Sequence, residues 1–231
     1  MKKQLLLFVF FYLSLLMSAQ SISDRALDIN SRFTEGKDGF NKFIAKNASY
    51  PLVSQNSLTV GLSVASLTVS PKGHIVDVSI LNPIDNHIDK EVIRLLMSTG
   101  GKWQATDSIT VNQKIIIQLA FIINGTKYHY SYLSEQHIAA PALIVAYSQN
   151  IPVTFKSDDK LQSMINKHLN KKKYQKCVDC LDELIRRNPY NTKAYQLRIM
   201  CNARLGNEVV VESDTEVLTG FNDNQPWGLS L

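Results

Sequence analysis

Cys177 and Cys180 are the most chemically suggestive pair in the chain, since C-x-x-C spacing can serve a redox couple or half of a zinc site. A redox pair of this type sits at a helix start beside a β-α-β pattern, where the helix dipole lowers the thiol pKa. Here the pair falls inside a helical stripe, and no second C-x-x-C or paired histidine follows at zinc spacing. Packing in a helix core is the expected role of both sulfurs. His74, His87, His129, His137 and His168 are dispersed and enter no nucleophile motif, and there is no glycine-rich phosphate loop. Asp89 could be read as a catalytic carboxylate, but a position at a helix start explains its charge. Trp103 could be a ligand platform, and a core or rim position suits it better. These residues imply a non-enzyme with no cofactor and no metal site. Binding is what remains.

The elements that would position a binding surface are legible in the periodicity. Phe40, Phe43 and Ile44 recur at helix spacing, and Tyr50-Pro51 ends that helix because the residue before proline leaves the α region. Leu58 to Val69 is rich in β-branched residues and predicts a strand; His74 to Ile80 predicts a second. Ser70-Pro71-Lys72-Gly73 between them supplies a preset φ and then a positive one, so the two strands form a hairpin. Ile88, Val92, Leu95 and Leu96 share one face of a helix that Gly100-Gly101 stops. Gln113 to Ile123 is apolar at nearly every position and predicts a third strand. Helix, hairpin, helix and strand give an α+β fold: a small antiparallel sheet with helices on one face. Residues 20–35 read as a linker and residues 125–157 as a connecting segment that could hold one helix. Residues 158–222 are all helical, with stripes through Leu161, Ile165 and Leu169, through Cys177, Leu181 and Leu184, and through Tyr195, Ile199 and Leu205, followed by a tail over 223–231.

The first residues address the chain. Lys2 and Lys3 precede an apolar run from Leu5 to Met17, and Ser18-Ala19-Gln20 offers small residues for cleavage. The run is short of the ~20 residues that span a bilayer, so residues 1–19 are expected to be a signal peptide and the mature chain periplasmic, with no stable membrane span. The formal charge is +5, and loss of the two lysines leaves about +3, too small an excess to imply nucleic acid. The lysine run over 167–176 is expected to be a solvated helix face. Three cysteines cannot all pair, so no disulfide framework is expected.

Taken in order, the residues from about Glu35 to Ile123 resemble the C-terminal domain of TonB, the periplasmic partner of outer-membrane TonB-dependent receptors. The resemblance rests on Tyr50-Pro51 after a helix, Gly61 opening a strand, the hairpin Val69 to Gly73, Ile88-Asp89 followed by Val92-Ile93-Arg94, and Trp103 before the last strand. Ala105 stands where that family places a proline, Ser63 and Ala65 replace valines, and the chain has no long proline-rich span. The segment from about Asp158 to Asn207 is similar to a tetratricopeptide repeat and the start of a second. Tyr174, Cys177, Leu181, Leu184 and Pro189 occupy its patterned positions, and Glu208 to Leu218 forms a degenerate cap.

The resemblance implies a protein-binding protein of the envelope that engages an outer-membrane receptor or another envelope protein by strand addition. As the last strand of its domain, Gln113–Ile123 is the expected open edge, presenting Gln113, Ile115, Ile117, Leu119 and Phe121. Tyr50, Pro51, Gly61, Gly73, Asp89, Arg94 and Trp103 are the structural residues of the motif. A scaffold acting through its helical repeats is the alternative.

Overall fold

In the computed structural model the described residues are 25–126, 128, 142–147 and 156–222. The expected signal peptide, the tail, and Tyr130 and Tyr132 of the connecting segment lie outside them. Among the described residues no helix is long and apolar enough to cross a membrane.

The fold is α+β. Strand β1 (Arg25–Ala26), a single helical turn α1 (Ile29–Arg32), α2 (Gly36–Asn47) and the short α3 (Leu52–Asn56) lead into the sheet. Strands β2 (Gly61–Val69) and β3 (Ile75–Asn82) form the predicted hairpin, with the amide of Ser70 donating to His74 O at 2.8 Å and that of Gly73 to Ser70 O at 2.9 Å. Gly73 has φ +81°, and a Cβ there would stand 2.2 Å from Trp103 O, so both the turn and the packing demand glycine. Helix α4 (Asn86–Met97) starts on Asp85, whose side chain accepts from the amides of His87 and Ile88, and buries the predicted face of Ile88, Val92, Leu95 and Leu96. Then come β4 (Gln113–Asn124), β5 (Ala142–Tyr147) and four helices, α5 (Asp158–Asn170), α6 (Tyr174–Arg187), α7 (Thr192–Leu205) and α8 (Glu208–Asn222).

Three expectations need correction. First, the sheet is mixed, in the order β1-β4-β2-β3 with β5 also on β4. The β2–β3 and β2–β4 pairs are antiparallel, but β1 and β5 both run parallel to β4. Parallel neighbours need a crossover connection between them: β1 comes from far earlier in the chain, and β5 follows β4 after residues 125–141. Second, residues 20–35 are not simply a linker: β1 and α1 belong to the domain, and Leu27, Ile29 and Phe33 are buried in its core. Phe33 forms an isolated antiparallel bridge with Trp103, their rings edge to face at 4.9 Å. Third, the segment 125–157 is not only a connection: its residues 142–147 form strand β5.

Helices α2 and α4 cover one face of the sheet, where Phe40, Ile44, Leu67, Leu96, Ile117, Leu119 and Phe121 pack together. The opposite face is not bare, contrary to the one-sided arrangement expected. Leu62, Val64, Ile116 and Ala120 form a cluster there, and Tyr190, from the turn after α6, packs on it. The joint is tight: a Cβ on Gly61 would stand 2.8 Å from Arg186 O, so the strand opens with glycine to let the α6 backbone approach. The amide of Asn82 donates to Leu62 O at 2.7 Å across the β2–β3 pair. Helices α5 to α8 keep a core of their own around Ile165, Cys177, Leu181, Ala194 and Cys201.

Candidate functional site

The strand expected to be open is paired on both of its sides. β4 pairs with β2 from Gln113 to Phe121, with β1 at Gln113 and Lys114, and with β5 from Leu119 to Asn124. Ile117, Leu119 and Phe121 are fully buried under the helices, and Ile115 packs against the same core. Gln113 accepts a hydrogen bond from the Arg32 guanidinium. The five residues are therefore core and framework; the chain's own β1 and β5 take both ends of the outer side, and among the described residues no strand pairs there with residues 115–117.

The rim lies on β3 instead. Among the described residues β3 pairs only with β2 and ends the sheet on that side. Its pairing has two irregularities, which leave Val76 and Leu81 without a Cα partner on β2. Bulges of this kind twist an edge and limit indiscriminate pairing. Between them Asp77, Val78, Ser79 and Ile80 hold regular register, and the Ser79 hydroxyl donates to Asp77 Oδ2 at 2.6 Å. Val76 is 54% exposed. Val78 and Ile80 send their side chains toward the core, so the strand is anchored on its inner face while its outer backbone faces away from β2.

At its C-terminal end this rim runs into a groove of about 710 Å³ formed by Leu81 to Ile84 with α6, α7 and α8. Arg198 forms one wall. Its guanidinium donates to both carboxylate oxygens of Asp214, at 2.7 and 2.8 Å, and to Asp182 at 2.8 Å. Burial alone would lower the Arg198 pKa, but Asp214 and Asp182 outweigh it and raise the value. Val209, 80% exposed, stands at the groove mouth.

The seven motif residues act as structure. The Tyr50 hydroxyl donates to Thr59 O, its ring meets Phe121 edge to face at 5.4 Å, and burial raises its pKa. Pro51 caps α3, and Gly61 and Gly73 admit close backbone. Asp89 accepts the Ile84 amide at 2.9 Å; burial raises its carboxyl and Asp85 adds to that, while the Ile84 bond opposes it. Arg94 pairs with Glu91 and donates to Asn47 O at 2.8 Å, tying α4 to the end of α2. Trp103 donates to Thr99 Oγ1 at 3.0 Å from a buried position. All three cysteines are buried in the helical core, and among the described residues no group of histidine, cysteine and carboxylate side chains is arranged to hold a metal.

Arg32 gave no sequence signal. It is 3% exposed and reaches four acceptors: Gln104 O (2.8 Å), Ser70 O (2.8 Å), Pro71 O (3.3 Å) and the Gln113 side chain. Its position between the apolar Ile29 and Phe33 was the available hint.

No family model matches the chain, and no curated protein matches it. Among solved structures, the solution structure of the Helicobacter pylori TonB C-terminal domain shares 18% identity with it. That similarity covers 35% of this chain and 76% of the other, with a TM-score of 0.30. A likeness at that level fixes no correspondence between the folds.

Proposed function

We propose that this chain is an exported, non-enzymatic, TonB-like protein-binding protein of the periplasm, whose β3 rim takes up an extended segment of an outer-membrane transport receptor or another envelope protein. The observation that carries the reading is the position of β3 at the end of the sheet, fixed on its inner face by Val78 and Ile80 and, among the described residues, paired on one side only. An incoming strand gains backbone hydrogen bonds along Asp77 to Ile80 and requires no rearrangement of the core. The residue-level resemblance over 35–123 supports a receptor-contacting role, and the apolar run over Leu5–Met17 behind Lys2 and Lys3 supports export.

The test is capture from envelope extracts with a photo-reactive residue at the neighbouring exposed position 77, with and without Val76→Lys. Recovery of an outer-membrane receptor or transport component, lost in the lysine variant, is the expected result. Capture that is unchanged by Val76→Lys but abolished by Val209→Lys would instead place the contact in the helical layer. The groove beneath α8 favours that second reading, in which the protein is a scaffold acting through a tetratricopeptide-like module.

A further inference from the structure

Cys177 and Cys180 were expected to pack in a helix core and the three cysteines to form no disulfide framework, but the fold treats the three differently. α6 and α7 form an antiparallel helical hairpin joined through residues 188–191. Cys177 lies ten residues before the end of α6 and Cys201 nine residues after the start of α7, so the two stand level across the hairpin. Both are 0% exposed and both belong to the same helical core, close enough for the Cys201 thiol to bear on that of Cys177. Cys180 is one helical turn further along α6, with Lys156, Asp179 and Glu183 as its charged neighbours.

We propose that Cys177 and Cys201 close an intramolecular disulfide that staples α6 to α7, leaving Cys180 as the free thiol. The competing Cys177–Cys180 bridge is disfavoured by helix geometry. Side chains three apart on a helix have Cβ atoms roughly 5–6 Å apart, whereas a disulfide holds its Cβ atoms at roughly 3.5–4.5 Å. A pair that stands level across two packed helices in one core is free of that constraint.

The step is a two-electron oxidation by a disulfide-bearing oxidant. One thiolate attacks the oxidant's S–S bond to give a mixed disulfide, and the second thiol displaces it. The Cys177–Cys201 S–S bond forms, the oxidant's S–S bond is broken, and the two electrons and two protons leave with the oxidant as a dithiol. Burial, with the Cys201 thiol next in importance, pushes the Cys177 thiol up to about 12. The folded protein therefore holds almost no Cys177 thiolate, and exchange is confined to the period before α7 docks. The staple forms during folding and is protected afterwards. Its presence in the cell rests on the export reading above, because an oxidising compartment must supply the oxidant.

The full chain is refolded in a glutathione redox buffer, and in parallel is isolated from cell envelopes with thiols blocked at lysis. Both samples are then denatured, titrated for thiols and mapped by mass spectrometry. The expected result is a fall from three titratable thiols to one, at Cys180, with a cross-linked fragment holding Cys177 and Cys201. Reduction should lower Tm by roughly 10 °C. Cys180→Ser, which leaves both partners in place, should retain the cross-link; Cys201→Ser should lose it. Three thiols after oxidative refolding, or a Cys177–Cys180 fragment, overturns the proposal. A cross-link in the refolded sample with three thiols in the envelope sample upholds the pairing and overturns the export reading instead.

Discussion

Replacing Arg32 with methionine removes a cation that holds four parts of the domain together. The guanidinium donates to Gln104 O, to Ser70 O and Pro71 O in the hairpin turn, and to the Gln113 side chain at the start of β4. The Arg32 main chain joins in, since the amide of Gln104 donates to Arg32 O at 2.6 Å beside the Phe33–Trp103 contact. Hydrogen bonds from a charged donor contribute about 1.5–3 kcal/mol each, and a buried acceptor left without a donor costs about 1–3 kcal/mol. Methionine recovers part of this by filling the space without a charge to desolvate. A net loss of about 3–5 kcal/mol is expected, within the range for breaking a buried polar network. The assay is urea denaturation followed by the fluorescence of Trp103, which sits against Phe33. Arg32→Lys keeps the charge but not the planar fork, and should recover less than half of the loss. A methionine variant within about 1 kcal/mol of wild type would refute the reasoning. It would show that residues 25–33 lie on the domain without helping to hold it.

Arg198→Met should cost about 3–5 kcal/mol, because Asp214 is then left buried without its cation; hydrogen exchange in α8 should rise most, and exchange unchanged there would count against the pair as the α7–α8 tie. The Asp89 carboxyl has a folded pKa above its ordinary value of 3.8, raised by burial with Asp85 adding to it. A group raised in this way contributes stability below the unfolded value and loses it as pH rises through the folded value. Asp89→Asn should therefore show its greatest advantage over wild type at neutral pH, shrinking as pH falls toward 3.8; denaturation midpoints at pH 7 and pH 4 check this, and a gap that widens on acidification would reverse the sign. Val76→Lys should leave unfolding free energy within about 0.5 kcal/mol of wild type while abolishing partner capture, since its side chain is exposed at a bulge.

The elements with a strong local signal were legible in the sequence. The hairpin is announced by Ser70 to Gly73, α4 by its four-residue apolar face, and α5 to α7 by long helical stripes. What escaped was non-local. β1 and α1 are too short for periodicity to register, so Leu27, Ile29 and Phe33 read as scattered apolar residues in a polar stretch. β5 pairs parallel with the strand just before it through a crossover, and no turn chemistry marks such a partnership. The same cause displaced the binding rim: β4 is last in its motif but interior in the sheet, because β1 and β5 add to its outer side. Cys177 and Cys201 each look like ordinary helix packing, and only the hairpin of α6 and α7 sets them side by side.

The bare backbone at Gly61 has a practical corollary for anyone cutting this protein into pieces. With Arg186 O seated against that glycine and Tyr190 resting on Leu62 and Val64, the sheet and the helical layer share a dovetail. A truncation at residue 157 would strip part of the cover from an apolar sheet face. The fragment should be sticky and would give false positives in any capture experiment, so single substitutions on intact protein are the cleaner route to its partner.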